Sequence, residues 1–224
     1  MSTATTPTDI PTAKPKNVFF ETTDKAYVQA LPRCIYDGRI VSIIGEGEAN
    51  RAVDYLMQQP LVGIDTETRP VFRRGVSHKV ALLQVAAPGI CFLFRLNWIG
   101  VPPCIVRLME SPTTKKVGLS LHDDFTALRR RVPMQPQGVI ELQTMAAAMG
   151  LRDMSLQKLY ANVVGERISK GAQLTNWEAE TLTANQQQYA ATDAYACLVL
   201  YDRLTEAQRE GYQIIKENRT PQTI

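Results

Sequence analysis

Apolar and polar positions follow a strand-like rhythm in the first half of the chain. Four stretches rich in β-branched and aromatic residues are typical of strands: GRIVSIIG at 38–45, LVGIDTE at 61–67, KVALLQVAA at 79–87 and ICFLFRL at 90–96. Pro88-Gly89 is a turn dipeptide between the last two, so these are expected to form a hairpin. The early sheet is therefore predicted to be partly antiparallel.

Helical periodicity appears first at about 47–58, ends at Pro60, and dominates after Val101. The later segments predict helices near 102–110, 122–131, 142–149, 155–164 and 184–210, short strands at 115–120 and 138–142, and a loop at 165–182. Strands that alternate with helices in this way are typical of an α/β fold in which helices cover a mixed sheet.

Length and composition favour one globular domain. The 224 residues are 45% hydrophobic and 21% charged. Residues 1–17 are rich in Thr and Pro and are expected to form a disordered arm, followed by a domain over 18–215 and a flexible tail over 216–224. An apolar run of membrane-spanning length and a secretory signal pattern are both absent, so a cytoplasmic location without a membrane partner is expected.

The charges and cysteines narrow the classes of partner. The four cysteines are far apart, which favours small buried side chains over a disulfide framework or a zinc cluster. The net charge is only +3, but basic residues cluster at 69–79, at 115–116 and at 129–131. Each cluster is compatible with a solvated surface or with contacts to a nucleic-acid backbone.

Two acids end the strand at 61–67. Asp65 and Glu67 are two positions apart, and alternation along a strand points such side chains to the same face. Two like charges in one partly buried space raise a pKa or require a cation, and hard divalent ions bind carboxylate oxygens. A pair that simply faces solvent at the strand end is the alternative.

Further acids lie in two distant segments. Asp123 and Asp124 begin a helix after the strand at 115–120, where they suit either a helix cap or a ligand site at a strand-to-helix joint. Asp193 shares the apolar stripe of the last helix with Tyr189. An unpaired buried carboxylate is costly, and the neighbouring helix positions offer no cation to pair with it.

These three segments together resemble the DEDD superfamily of 3′–5′ exonucleases, in the branch with tyrosine in its third motif. The likeness is greatest to the Werner-type and ribonuclease D group and covers about residues 40–205. The D-x-E, second-motif Asp and Y-x-x-x-D positions of the family correspond to Asp65, Glu67, Asp124, Tyr189 and Asp193.

Individual positions refine the resemblance. Gln188 stands where the histidine branch of the superfamily has its histidine, which places the chain in the tyrosine branch. Alignment on the KVG strand selects Asp124 over Asp123. Thr68 replaces a Trp that is usual in Werner-type relatives, so a stacking contact with the substrate is in question.

The resemblance implies a ribonuclease H-like mixed sheet flanked by helices, and an enzyme that hydrolyses nucleic acid from its 3′ end to nucleoside monophosphates. It implies two divalent cations, Mg²⁺ or Mn²⁺, and no organic cofactor. Asp65, Glu67 and Asp193 would hold one cation, Asp65 would bridge to the second, and Asp124 would contribute through water. Tyr189 would orient the attacking water, because an unperturbed phenol is a poor base at neutral pH.

The substrate contacts are predicted separately. The backbone of Thr66 is expected to approach the terminal nucleotide, and the residues expected to grip phosphates are Arg73, Arg74, Lys79 and Lys170. Trp177 suits a core position better than a stacking platform. A catalytically silent nucleic-acid-binding or scaffold protein and a ribonuclease D-like RNA-trimming enzyme are the alternatives, and the preferred sugar is left open.

Overall fold

The structure is a computed structural model that describes residues 18–72 and 75–222. Its strands are β1 (Val18–Thr23), β2 (Arg39–Ile43), β3 (Leu61–Thr68), β4 (Val80–Ala87), β5 (Ile90–Arg95), β6 (Lys115–Gly118), β7 (Val139–Glu141) and β8 (Gln213–Arg219). Strands β2 to β7 form one sheet in the order β2-β5-β4-β3-β6-β7, in which β4 runs against the other five. The predicted hairpin and mixed sheet are confirmed.

The helices are α1 (Lys25–Ala30), α2 (Glu46–Leu56), α3 (Leu96–Ile99), α4 (Pro103–Glu110), α5 (Leu121–Arg129), α6 (Leu142–Met149), α7 (Leu156–Val164) and α8 (Ala184–Glu210). Helix α8 begins with a capping box formed by Thr183 and Gln186 and ends at Gly211, whose φ of 67° suits glycine. Within the described part of the chain, no helix is long and apolar enough to cross a bilayer.

Two apolar clusters cover the two faces of the main sheet. One cluster joins the sheet to α6, α7 and α8, and the other joins it to α2, α4 and α5. The alternation of β3 explains the division, because Val62 and Ile64 belong to the second cluster while Gly63 between them faces α8. All four cysteines are buried and free, as predicted.

The last strand extends beyond the predicted domain end at residue 215. Strand β8 continues to Arg219 and pairs in parallel with β1, so residues 216–219 are strand and not a flexible tail. Ile214 packs against the core, and the Arg219 guanidinium lies over the rings of Phe20 and Tyr27, at 5.1 and 4.7 Å from their centroids. The predicted arm at 1–17 lies outside the described residues.

Strand β3 and helix α8 approach each other closely at Gly63. A Cβ atom there would overlap the carbonyl oxygen of Ala194 and lie 3.1 Å from Cγ of Leu198. Only glycine therefore permits this distance between strand and helix. Asp65 is the next residue of β3 on the same face, and Asp193 directly precedes Ala194 on α8, so the approach brings these two acids together.

Candidate active site

Three acids from two elements meet at the end of β3. Asp65 and Glu67 project from the strand towards α8, and Asp193 projects from the helix. One carboxylate oxygen of each lies within 4.8 Å of those of the other two. Glu67 is 9% exposed and Asp193 is 3% exposed, so the alternative of a strand-end pair that faces solvent is wrong.

The three carboxyl groups hold their protons unusually strongly. Burial, together with the charges of Asp193 and Asp124, raises the pKa of Glu67 to about 9. Burial likewise raises the pKa of Asp65 well above its usual value, again with repulsion from neighbouring carboxylates. Burial also raises the pKa of Asp193 to about 7, and a hydrogen bond with Tyr189 partly opposes this.

A divalent cation fits this group of side chains. The Oδ1 atom of Asp193 is buried and has no hydrogen-bond partner among the described residues. Carboxylate oxygens are the ligands that Mg²⁺ and Mn²⁺ prefer, and a cation would relieve the repulsion among the three acids. Buried polar atoms normally have partners, so the orphaned oxygen supports a ligand at this position.

Asp124 is a fourth acid close to these three. It is half-buried at the start of α5, and the hydroxyl of Thr66 donates a hydrogen bond to its Oδ1. Burial raises the pKa of Asp124 to about 6, and its negative charge in turn raises the pKa of Asp65. Asp123 is exposed, so the structure turns Asp124 and not Asp123 towards β3.

Asp124 is not needed to cap its helix. The backbone N–H groups of Ser120 and Leu121 donate instead to the two carboxylate oxygens of Glu141, at 3.0 and 2.8 Å. Glu141 ends β7 and reaches across to the start of α5, a contact that sequence reasoning missed because it joins distant segments. With the cap supplied from elsewhere, the Asp124 carboxylate is available to the acid cluster.

Tyr189 lies one helical turn before Asp193 and is 6% exposed. Burial and the neighbouring carboxylates raise its pKa far above that of a free phenol, so its hydroxyl stays protonated and forms a hydrogen bond with the Asp193 carboxylate. Its ring packs against Trp177, with the centroids 6.0 Å apart. Trp177 is fully buried, which confirms the predicted core position.

We expect the cation-free protein to lose stability as the pH rises from 5 to 9. The folded state retains protons on acids whose pKa is raised, whereas the unfolded chain releases them near pH 4. Each such proton lowers the free energy of unfolding by about 1.4 kcal/mol per pH unit. Thermal unfolding in EDTA at pH 5, 7 and 9 measures the slope. Glu67→Gln removes one titrating group and should make the dependence of stability on pH less steep. Equal pH dependence in the two proteins would contradict the raised pKa of Glu67.

Two of the four predicted phosphate-gripping residues belong to the described part of the chain. Lys79 and Lys170 are exposed, while Arg73 and Arg74 lie outside the described residues. The side chain of Thr66 contacts Asp124, so only its backbone is left for the predicted approach to a nucleotide. None of these placements by itself identifies a substrate contact.

A cleft of about 330 Å³ lies between the β3–β4 connection and the segment before α8. Its walls include Arg69, Phe72, Val76, His78 and Leu174. Phe72 is 82% exposed and Leu174 is 70% exposed, although both are large apolar side chains. Sequence reasoning missed both, because isolated apolar residues in loops produce no periodicity.

One acid joins the two sides of this cleft. The Glu178 carboxylate accepts from Arg69 at 3.3 Å and contacts Nδ1 of His78 at 3.1 Å. Arg69 follows β3 and His78 precedes β4, whereas Glu178 belongs to the segment that leads into α8. The contact therefore holds the cleft next to the strand that carries Asp65 and Glu67.

Comparison with known proteins gives similarities over most of the chain. Residues 40–208 match a family described as 3′-5′ exonuclease. The chain is 31% identical over 150 residues to the bifunctional 3′-5′ exonuclease/ATP-dependent helicase WRN of Mus musculus, a match that covers 64% of this chain and 11% of that protein. It is 34% identical over 151 residues to a 3′-5′ exonuclease of Arabidopsis thaliana, covering 65% of this chain and 52% of that protein. The matched segment thus spans about a tenth of the length of the first relative and about half of the length of the second.

Solved structures show the same fold. The EXO domain of Aedes aegypti Nibbler superposes with a TM-score of 0.72 at 16% identity, covering 83% of this chain and 95% of that one. Escherichia coli RNase D, described as an exoribonuclease involved in structured RNA processing, superposes with a TM-score of 0.68 at 21% identity, covering 79% and 46%. These likenesses confirm the expected fold class.

Proposed function

Because the chain belongs to the 3′-5′ exonuclease domain family, we propose that it is a divalent-cation-dependent nuclease that releases nucleoside monophosphates from the 3′ end of a nucleic acid. The observation that carries the proposal is the convergence of Asp65, Glu67 and Asp193 within 4.8 Å, inside the segment that matches the family. A catalytically silent scaffold on the same fold would have no need to retain this costly cluster.

Each of the four acids has its own proposed role in binding the cations. Asp65, Glu67 and Asp193 would hold one Mg²⁺ or Mn²⁺, with Asp65 shared with a second cation and Asp124 contributing through water. Bound cations of this kind supply Lewis acidity, which activates water and stabilises the charge that develops on the phosphate. The Thr66 hydroxyl fixes the orientation of the Asp124 carboxylate, so it acts as a positioning group.

Tyr189 orients the reacting groups and does not act as a general base. Its hydroxyl keeps its proton at neutral pH and lies beside Asp193, within the acid cluster. A protonated phenol donates a hydrogen bond to a phosphate oxygen or to the attacking water. The packing of its ring against Trp177 restricts the position of the hydroxyl before the substrate arrives.

Replacing Tyr189 by Phe should lower kcat by about 10- to 100-fold, because it removes one orienting hydrogen bond. The affinity for Mn²⁺ should fall less than kcat does, because the hydroxyl is not itself a cation ligand but only a hydrogen-bond partner of one, Asp193. Steady-state kinetics and calorimetric Mn²⁺ titration measure the two quantities. Tyr201→Phe, a half-buried phenol on the same helix, is the matched control. Equal losses of turnover and Mn²⁺ affinity would contradict the proposed role.

The cleft beside the acid cluster is the proposed path of the substrate strand. Phe72 offers an exposed ring for stacking on a base, and Arg69 and His78 lie on the same wall. Lys79 and Lys170 are exposed near the ends of the two segments that form the cleft, where they would contact backbone phosphates together with the predicted Arg73 and Arg74. A cleft of about 330 Å³ suits an unpaired nucleotide better than a base pair. The cytoplasmic location stays a prediction.

Digestion of 5′-labelled oligomers tests the function directly. Matched RNA, single-stranded DNA and duplex DNA are incubated with Mn²⁺ or Mg²⁺, with EDTA as the control. We expect ladders that shorten from the 3′ end with mononucleotide products, faster from an unpaired end than from a blunt duplex. Cleavage of RNA alone would select the ribonuclease D-like alternative. If no substrate is shortened with either cation, the scaffold alternative is correct.

A further inference from the structure

Gln84 is a fully buried polar residue in the middle of β4. Neither its Oε1 nor its Nε2 has a hydrogen-bond partner among the described residues. A primary amide can make several hydrogen bonds, and leaving all of them unmade inside a core is costly. The neighbouring β4 residues are apolar, so an apolar side chain would be the expected occupant of this position.

The strand register places Gln84 beside the acid cluster. In the antiparallel pairing of β3 with β4, Gln84 is directly opposite Asp65. Leu82 and Ala86, two positions away on either side, belong to the core cluster that faces α8. Gln84 therefore points to the same face of the sheet as Asp65, at the short Cβ separation of about 4.5–5.5 Å that is typical of directly opposed residues.

The surroundings of the amide leave few candidates for a partner. Across the other edge of β4, Gln84 is opposite Leu93, which has no polar side-chain atom. Leu82 and Ala86 on the same strand are also apolar. Among the directly opposed and adjacent side chains on this face, Asp65 is the one that can accept a hydrogen bond from Nε2.

We propose that Gln84 is a positioning residue for the cation site, donating a hydrogen bond from Nε2 to the Asp65 carboxylate when that carboxylate binds a divalent cation. The inference rests on the proposed function because it assumes that Asp65 is a cation ligand. A carboxylate has two oxygens, so one can face the cation while the other accepts from the amide. Such outer partners orient metal ligands, and losing one typically costs about 10- to 100-fold in metal affinity.

The role also explains why the amide is tolerated. Met has nearly the volume and length of Gln but donates no hydrogen bond, so a purely packing position would accept Met at least as well. If the amide stabilises the cation-bound state, its unmade hydrogen bonds make the cation-free state less stable. Gln84→Met should therefore maintain or raise the stability of the cation-free protein and weaken its binding of cations.

Gln84→Met tests the proposal with measurements that do not depend on nuclease activity. We expect its Tm in EDTA to equal or exceed that of the wild-type protein, and its calorimetric Kd for Mn²⁺ to rise by about 10- to 100-fold. Leu93→Met is the control, because it changes the opposite neighbour on β5 without touching a polar group. This control should leave the Kd for Mn²⁺ unchanged.

Three outcomes would overturn the proposal. One is a Gln84→Met protein whose Kd for Mn²⁺ is unchanged, which shows that the amide does not support the cation site. Another is the failure of both Gln84→Met and Gln84→Leu to fold, because removing an unpaired amide should be tolerated. The third is a wild-type protein that binds no Mn²⁺, which would also remove the basis of the proposed function. Tight Mn²⁺ binding that weakens in Gln84→Met but accompanies no digestion of any oligomer would refute the nuclease function and leave this inference intact.

Discussion

Replacing Asp65 by Asn is expected to lower turnover by about 10³-fold and to raise the stability of the cation-free protein. Asp65 is the acid that the other three carboxylates all repel, and it is the proposed shared ligand of both cations. Cation chemistry supplies several kcal/mol of transition-state stabilisation, and each 1.4 kcal/mol corresponds to a factor of ten. Without a cation, Asp65 must either keep a proton or carry a buried charge that the other acids repel, and Asn avoids both costs.

A loss of turnover together with a gain in cation-free stability distinguishes a cation ligand from a structural residue. Single-turnover digestion with Mn²⁺ measures the catalytic loss, and thermal unfolding in EDTA at pH 8 measures the gain in stability. Asp123→Asn is the matched control, since Asp123 is an exposed acid next to Asp124 that is absent from the cluster. An Asp65→Asn protein that is less stable in EDTA and retains its turnover would show that Asp65 is a structural residue.

Gly63→Ala should be the most disruptive single-methyl change in the sheet. The added Cβ would overlap the carbonyl oxygen of Ala194, a backbone atom that cannot turn away as a side chain can. Overpacking of this kind costs about 1–3 kcal/mol, and relief requires α8 to move away from β3. Because Asp193 precedes Ala194, that movement separates Asp193 from Asp65 and weakens cation binding as well.

The same substitution at another glycine gives the comparison. Gly47 lies in α2, where a new Cβ would have no neighbour closer than 3.8 Å, so Gly47→Ala should stabilise the protein by about 0.5 kcal/mol. Urea unfolding of both variants measures the difference, and Mn²⁺ titration measures the effect on the site. If Gly63→Ala is as stable as Gly47→Ala and binds Mn²⁺ normally, the close approach does not set the position of the site.

The parts of the site that the sequence predicts are those governed by short-range periodicity. Alternation along a strand places Asp65 and Glu67 on one face, and helical spacing places Tyr189 one turn before Asp193. The apolar residues around these positions indicate which face is buried. The predicted bounds of α6 and α8 agree with the structure for the same reason, since each has an apolar stripe and a clear end.

The contacts that sequence reasoning missed depend on which distant segments become neighbours. Strands β1 and β8 are each short, and each needs a partner almost 200 residues away, so neither produces a clear signal on its own. Glu141 caps α5 only because β7 ends beside it. Gln84 is likewise an isolated polar residue in an apolar strand, and only the register of β3 with β4 shows that it lies opposite Asp65. These contacts follow from sheet order, which local patterns leave undetermined.

In the proposed function, Asp65, Glu67 and Asp193 bind the same divalent cation. A crystal of the protein grown with Mn²⁺ and measured at the manganese absorption edge tests this most directly. We predict an anomalous peak bound by one oxygen of each carboxylate, at about 2.1–2.3 Å, and loss of that peak in Asp65→Asn crystals. A wild-type map with no manganese at these three side chains, or with manganese bound only elsewhere, would contradict the claim.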